Sequence, residues 1–121
     1  MWDVNTTDSF TEWLLSQDEP LRESVYEAMG LLEKFGPSLG RPYVDTLNGS
    51  DFPNMKELRI QHAGDPIRAF FAFDPARSAI VLCAGDKTGV NEKRFYKKMI
   101  ALADEEYRQH LANLEERYGK L

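Results

Sequence analysis

Cysteine and histidine are nearly missing from this chain: Cys83 stands alone, and His62 and His110 are the only imidazoles. A lone cysteine forms no internal disulfide. Its place in the run Ile80-Val81-Leu82-Cys83 reads as a small core residue rather than a nucleophile. Two histidines far apart, with no Cys/His or Asp/Glu cluster at ligand spacing, give no metal site to expect. No Ser/His/Asp or Cys/His set can be assembled. Gly85-Asp86-Lys87-Thr88-Gly89 lacks the strand–GxxxxGK(S/T)–helix pattern of a phosphate loop. No apolar run approaches the ~20 residues of a membrane span. Met1-Trp2-Asp3-Val4 lacks the basic and apolar regions of a signal peptide, so a cytoplasmic location is expected. Internal repeats, low-complexity tracts and domain linkers are missing too, and one domain over residues 1–121 is expected.

An excess of positive charge is also lacking, since the net charge is −5. That argues against a polyanionic partner until the chain is divided. Residues 1–40 carry two basic and eight acidic side chains, whereas residues 41–98 carry ten basic and seven acidic. Residues 99–121 return to three basic and five acidic. The centre is positive between two acidic ends, and it is the local field that attracts a polyanion.

That positive centre is also where strands are written. Lys56-Glu57-Leu58-Arg59-Ile60, Ile67-Arg68-Ala69-Phe70-Phe71-Ala72-Phe73 and Ala79-Ile80-Val81-Leu82-Cys83 are three strand-length runs. They are separated by turns at Gly64-Asp65-Pro66 and Asp74-Pro75-Ala76-Arg77, which makes an antiparallel meander. Alternation sends Leu58 and Ile60 to one face and Glu57 and Arg59 to the other. Ile67, Ala69, Phe71 and Phe73 share a face, with Arg68 and Phe70 opposite. The third run, apolar on both faces, is expected to be central and to deliver Lys87 past its end.

Helices flank the meander. Trp2 to Thr6 is a short strand candidate, after which Thr7-Asp8 offers an N-cap to a helix carrying Phe10, Trp13 and Leu14. Pro20 suits the first turn of a second helix, on which Leu21, Val25, Ala28, Leu32 and Phe35 form an apolar stripe up to Gly36-Pro37. Both helices are expected to pack on the apolar sheet face, with Trp13 and Phe35 in the core. Residues 36–53 read as a long connection holding a possible short strand at Tyr43–Leu47, and Arg41 within it could reach a phosphate. Asn91 caps a last helix from Glu92, striped first by Phe95, Met99 and Leu102, then by Ala103, Tyr107, Leu111, Leu114 and Tyr118. It either runs to about Tyr118 or breaks near Asp104. The fold expected is α+β: a mainly meander sheet, two N-terminal helices on one face, and a long C-terminal helix.

If the faces register, Arg59, Arg68 and Lys87 converge with Glu57 beside them. The alternative is a solvated sheet face, where Arg59 and Arg68 pair with Glu57 or Asp65 at about 0–1 kcal/mol each. The last helix adds Lys93 and Lys97, with Phe95 or Tyr96 as an aromatic near the patch; Lys93 and Tyr96, three apart, share a helix face.

The runs Gly36–Asp45, Asn54–Arg59 and Arg68–Pro75, the turn Gly85–Lys87, the pair Phe95-Tyr96, and Ala103–Tyr107 with His110-Leu111 resemble the HigB branch of the RelE toxin superfamily. The likeness covers nearly the whole chain in the same order. It implies a RelE-like toxin of a type II toxin–antitoxin module, a metal-independent endoribonuclease that needs no cofactor and cuts mRNA on the ribosome. It also implies a helix-turn-helix antitoxin as partner and no membrane association. Carried over, Arg68 lies at the scissile phosphate, Lys87 is the basic residue after the third strand, and Phe95 or Tyr96 stacks a base. Lys56, Glu57 and Arg59 fall on a strand whose basic residues vary among relatives. Lys93 and Lys97 would contact RNA. Attack by a ribose 2′-hydroxyl needs charge stabilisation, assigned to Arg68 with Lys87, and a base, Glu57 or alternatively Lys56. The chain departs from the family in being net acidic and in having no histidine in the matched site. The rival reading is a non-catalytic module of the same fold that acts only with its partner protein.

Overall fold

The computed structural model describes residues 1–119. In chain order come β1 (Val4–Thr6), α1 (Asp8–Leu15), α2 (Glu19–Phe35), a single 3-10 turn (Gly36–Ser38), β2 (Val44–Thr46), β3 (Lys56–His62), β4 (Asp65–Phe73), β5 (Ala79–Asp86) and α3 (Glu92–Tyr118). The strands form one sheet in the order β1-β5-β4-β3-β2. Neighbours from β2 to β5 pair antiparallel, and β1 joins β5 in parallel. The meander is therefore as expected, extended at both edges by a three-residue strand. β1 makes the sheet mixed.

Capping residues set the helix starts. Thr7 Oγ1 accepts from the Phe10 N–H at 3.1 Å and donates to Leu82 O at 2.7 Å, tying α1 to β5. Asp18 caps α2 through the Leu21 N–H and Asn91 caps α3 through the Arg94 N–H. Each such cap stabilises its helix by about 1 kcal/mol. Two cores result, one on each side of the sheet. Phe10, Leu21, Val25 and Leu32 from α1 and α2 pack on Leu58, Ile60, Ile67, Ala69 and Phe71. On the other side Met99, Ile100, Ala103 and Tyr107 of α3 pack on Met55, Phe70, Ala72, Ile80 and Leu82. α3 is one continuous helix of 27 residues.

One irregularity decides what lies under α3. Phe70 pairs with Cys83 but Phe71 pairs with Val81, so Leu82 is an extra residue in β5. This bulge turns both Leu82 and Cys83 toward α3. Gly85 then follows on the same side, where an added Cβ would stand 3.1 Å from the Phe95 ring. Phe95 can approach the sheet because residue 85 has no side chain.

Some expectations are corrected. Phe35 ends α2 and is 43% exposed, because the stripe has drifted past the sheet edge by the last turn. On α3, Leu102 is exposed and Ile100 takes its place in the core. Tyr118 is exposed as well. The β3–β4 turn is Ala63-Gly64, both at positive φ, while Asp65 and Pro66 already belong to β4. Trp13 packs against the core as expected.

Candidate functional site

Glu57 lies at the centre of the site and is 3% exposed. Register explains its company: Asp45 and Phe70 stand opposite Glu57, and Arg68 stands opposite Arg59. Period-2 alternation puts Asp45, Glu57, Arg59 and Arg68 on the α3 side of the sheet. Glu57 Oε1 accepts from Arg59 Nε at 3.0 Å, and Oε2 accepts from the Tyr96 hydroxyl at 2.6 Å. Arg59 also donates through Nη2 to Asp45 Oδ2 at 3.2 Å. The same Asp45 oxygen receives Arg41 Nη2 at 3.0 Å.

Arg68 is held differently. Its side chain is 13% exposed, and Nη1 donates to the Ile67 carbonyl at 3.0 Å. Its Nε lies 4.0 Å from Glu57 Oε2, outside hydrogen-bond reach, and is buried without a partner among the described residues. A buried unsatisfied donor is costly, and more so when it is charged. Lys87 closes the site from the end of β5. Its Nζ donates to Glu92 Oε1 at 2.7 Å and stands 5.2 Å from the centre of the Tyr96 ring.

These contacts shift the titration of the groups. Burial and then the bond to the Glu57 carboxylate push the Tyr96 phenol above its usual range, against the opposing pull of Arg68 and Lys87. The hydrogen bond to Glu57 raises Arg59 further. Arg41 holds the Asp45 carboxyl below its usual value, and Lys87 does the same for Glu92. At neutral pH Tyr96 is therefore a neutral phenol whose proton points at a carboxylate, beside three cations. Such a set can bind a phosphate and pass a proton.

Arg68, Lys87, Glu57, Arg59 and Tyr96 thus come together. Lys56 does not: its Nζ donates to Thr46 Oγ1 at 3.1 Å, on the opposite sheet face with Leu58 and Ile60. Phe95 is not the aromatic at the site either, since its ring packs on Phe70 and over Gly85. Lys93 and Lys97 lie one turn along α3, lining a neighbouring cleft with Tyr96. Arg41 is engaged by Asp45. Two site residues were not anticipated, Asp45 and Glu92. The parity of Asp45 beside the buried Val44 was the signal available for the first. His110 lies elsewhere, with Nε2 2.7 Å from Asp74 Oδ2, and Asp74 Oδ1 in turn accepts from the Ser78 N–H. That pair fastens α3 to the β4–β5 turn. No group of three or more His, Cys, Asp or Glu able to hold a metal ion occurs among the described residues.

Comparison with known proteins places this chain in a family. Residues 12–108 match the family model described as Phage derived protein Gp49-like. A Mycobacterium tuberculosis protein named "Putative toxin HigB3" is 50% identical over 101 residues, covering 84% of this chain and 86% of that one. A second from the same organism, "Putative toxin HigB2", is 44% identical over 110 residues, which span 90% of this chain and 54% of that longer protein. Among solved structures, the isolated Escherichia coli RelE toxin superposes with a TM-score of 0.59 at 12% identity, over 83% of this chain and 99% of RelE. A chain of the archaeal RelE–RelB complex from Pyrococcus horikoshii gives 0.54 at 16% identity, over 74% of this chain and 98% of that one. At such identities the likeness establishes the fold alone. The sequence matches establish the lineage: this chain belongs to the phage-derived Gp49-like family, beside the HigB toxins, on a RelE-like fold.

Proposed function

We propose that the chain is the toxin of a type II toxin–antitoxin pair and acts as an mRNA endoribonuclease on translating ribosomes, without a metal. The observation that carries this reading is the buried Arg68 Nε, without a partner among the described residues, set between Glu57, Tyr96 and Lys87. A phosphate oxygen would satisfy that nitrogen through a charge-assisted bond, and a guanidinium keeps its charge at any physiological pH.

In this mechanism the ribose 2′-oxygen attacks the adjacent phosphorus and the 5′-oxygen leaves. Glu57 is too deeply buried to reach substrate, so Tyr96 stands between them. Its hydroxyl takes the 2′-proton as it gives its own to Glu57 Oε2, across the 2.6 Å hydrogen bond. Arg68 stabilises the charge gathering on the phosphoryl oxygens, and Arg59 keeps Glu57 oriented. Lys87 gives a proton to the departing 5′-oxygen. The partner is a cognate antitoxin, a helix-turn-helix protein, and the location is the cytoplasm. Complexes of RelE with RelB show that proteins of this fold can be held by a partner chain.

Induced expression of the chain alone is expected to arrest growth, with new transcript ends mapping inside translated regions. Co-expression of the helix-turn-helix protein encoded beside it is expected to restore growth. Tyr96→Phe and Glu57→Gln, made as folded protein, are each expected to lose about 10²–10⁴-fold in cleavage, the span of a general acid–base contribution. Normal growth with intact transcripts, at a verified level of folded wild-type protein, rejects the reading.

A further inference from the structure

The Arg59 guanidinium spans two carboxylates, Glu57 two residues back on β3 and Asp45 opposite Glu57 on β2. Its Nε donates to Glu57 Oε1 at 3.0 Å, and its Nη2 donates to Asp45 Oδ2 at 3.2 Å. Asp45 is itself fixed. Its Oδ1 accepts from the Thr46 N–H at 3.0 Å, and Oδ2 also accepts from Arg41 Nη2 at 3.0 Å. It therefore presents to Arg59 an oxygen that is held in place from both sides.

Arg59 needs that second anchor because it reaches the surface. The Glu57 side chain is 3% exposed and that of Arg59 is 36% exposed. A long side chain held at one point keeps much of its rotamer freedom. A phosphate drawn to Arg68 also attracts Arg59, since a guanidinium bonds phosphate as readily as carboxylate. If Arg59 followed the phosphate, Glu57 Oε1 would lose its donor. The aim of Oε2 at the Tyr96 hydroxyl, 2.6 Å away, would then be unsupported.

We propose that Asp45 is a positioning residue, which keeps Arg59 on Glu57 and off the RNA phosphate so that the Glu57–Tyr96 pair stays aligned when substrate binds. The proposal rests on the RNA-cleaving reading above. It gives Asp45 a cost as well as a benefit, because an Arg59 retained by carboxylates is a phosphate contact forgone. Removing the Asp45 charge is thus expected to move binding and turnover in opposite directions. A merely structural role moves them in the same direction.

The test uses the full chain carrying Asp45→Asn, which keeps the shape and an acceptor for the Thr46 N–H but not the charge. On single-stranded RNA with 2′-O-methyl groups throughout, which binds but cannot be cut, the affinity is expected to rise. The salt slope of log affinity is expected to steepen by about 0.7, one further phosphate contact on a single strand. Single-turnover cleavage of unmodified RNA at saturation is expected to fall about ten-fold, short of the ~10²-fold that a 1 Å misplacement costs. In an Arg59→Ala background, Asp45→Asn is expected to change neither. A third readout needs no RNA: the Arg59 Nε–H proton resonance, assigned by its absence in Arg59→Ala, is expected to exchange with solvent faster in Asp45→Asn. Unchanged exchange overturns the proposal, and so does a folded Asp45→Asn whose binding and cleavage weaken together or match wild type. Faster exchange in a chain that neither binds nor cuts RNA leaves the hold on Arg59 standing and defeats the catalytic reading. If Asp45→Asn does not fold, Asp45→Ser, with a short acceptor for the Thr46 N–H, takes its place. Loss of the fold in both makes Asp45 structural and overturns the proposal.

Discussion

In the proposed reaction Arg68 is the residue on which the chemistry turns, because it is poised rather than satisfied. Arg59 has two carboxylates, whereas the Arg68 Nε has none within bonding distance. Arg68→Ala removes a cation that makes no hydrogen bond to Glu57, whose bonds to Arg59 and Tyr96 remain, so it is expected to cost about 1 kcal/mol of stability. Cleavage is expected to fall roughly 10²–10³-fold, as when one charge-stabilising donor is removed. Arg68→Lys is expected to recover only part, lacking the guanidinium fork. Arg77→Ala, in the β4–β5 turn, serves as the control. Melting temperature and single-turnover rate separate the outcomes: an unfolded Arg68→Ala makes the residue structural, and a folded, active one removes it from the site. Cys83 illustrates the opposite condition, a group with no task. Burial lifts its thiol from 9.0 to about 12. The folded state therefore keeps a proton that the unfolded chain releases, and stability falls as pH climbs from 9 toward 12. At about 1.36 kcal/mol per unit, that amounts to about 2 kcal/mol by roughly pH 10.5. Urea midpoints at pH 7 and 10.5 are expected to differ by less in Cys83→Ala than in wild type; equal differences contradict the assignment. Both residues were legible in the sequence, Cys83 from its apolar run and Arg68 from strand parity. Lys56 was misplaced because the resemblance was followed against parity: it shares the parity of Leu58, so its stem runs along the α1–α2 face. Tyr96 could not be chosen over Phe95 until the bulge and Gly85 fixed which ring goes under the helix.

The elements were legible where one residue type dictates geometry and obscure where the partner is remote. Thr7 and Asn91 cap the helices that their positions promise, and Asp18 caps α2 as well, a cap not read from the sequence. β1, by contrast, pairs in parallel with a strand some 75 residues later in the chain, and no local pattern encodes that pairing. The continuity of α3 was equally hidden. Asp104, read from the sequence only as a place where the helix could break, is a buried anchor for residues 50 and 51. Two element-scale predictions follow from backbone geometry. Gly36 ends α2 at φ 53°, and a Cβ there would lie 2.3 Å from the Trp2 indole nitrogen. Gly36→Ala is expected to cost about 2–4 kcal/mol, combining backbone strain with overpacking. Denaturation in a Trp2→Ala background is expected to return only the strain part; an unchanged cost there rules out the clash. The Ala63-Gly64 turn has φ of 49° and 85°, the two successive positive values of the tight hairpin turn that favours Asn-Gly. Ala63→Asn is expected to add about 0.5–1 kcal/mol. A fall in the urea midpoint would show that the alanine methyl matters more than its strain.

At the scale of the molecule, the sheet separates two tasks. The side facing α1 and α2 is closed by an apolar core, and the α3 side carries apolar packing at one end and Glu57, Arg59, Arg68 and Lys87 at the other. Charge follows the same division, with an acidic α2 and a basic start to α3, so a net-acidic chain still presents cations where the site opens. This separation was legible from the charge blocks, and the packing of α1 and α2 on the apolar face from the alternation in the meander; how far α3 docks along the other face was not, because that depends on contacts between distant segments. No helix among the described residues is long and apolar enough to cross a membrane. The division also bears on how charge is neutralised in the reaction. Arg68, Arg59 and Lys87 bring three positive charges to the site, which in the proposed reaction is the work a divalent ion does in metal-assisted phosphoryl chemistry. The carboxylates near them are already engaged, Glu57 by Arg59 and Tyr96, Asp45 by Arg41 and Arg59, and Glu92 by Lys87. A divalent cation entering the pocket would have to break those bonds and meet three like charges. Cleavage of a short single-stranded RNA, which itself needs no magnesium to fold, is therefore expected to proceed at an undiminished rate in excess chelator. Added magnesium or manganese is expected to slow it modestly by competing for the phosphate. Activity that vanishes in chelator and returns with added divalent metal would sink the cationic mechanism and leave Arg68 with a binding role alone.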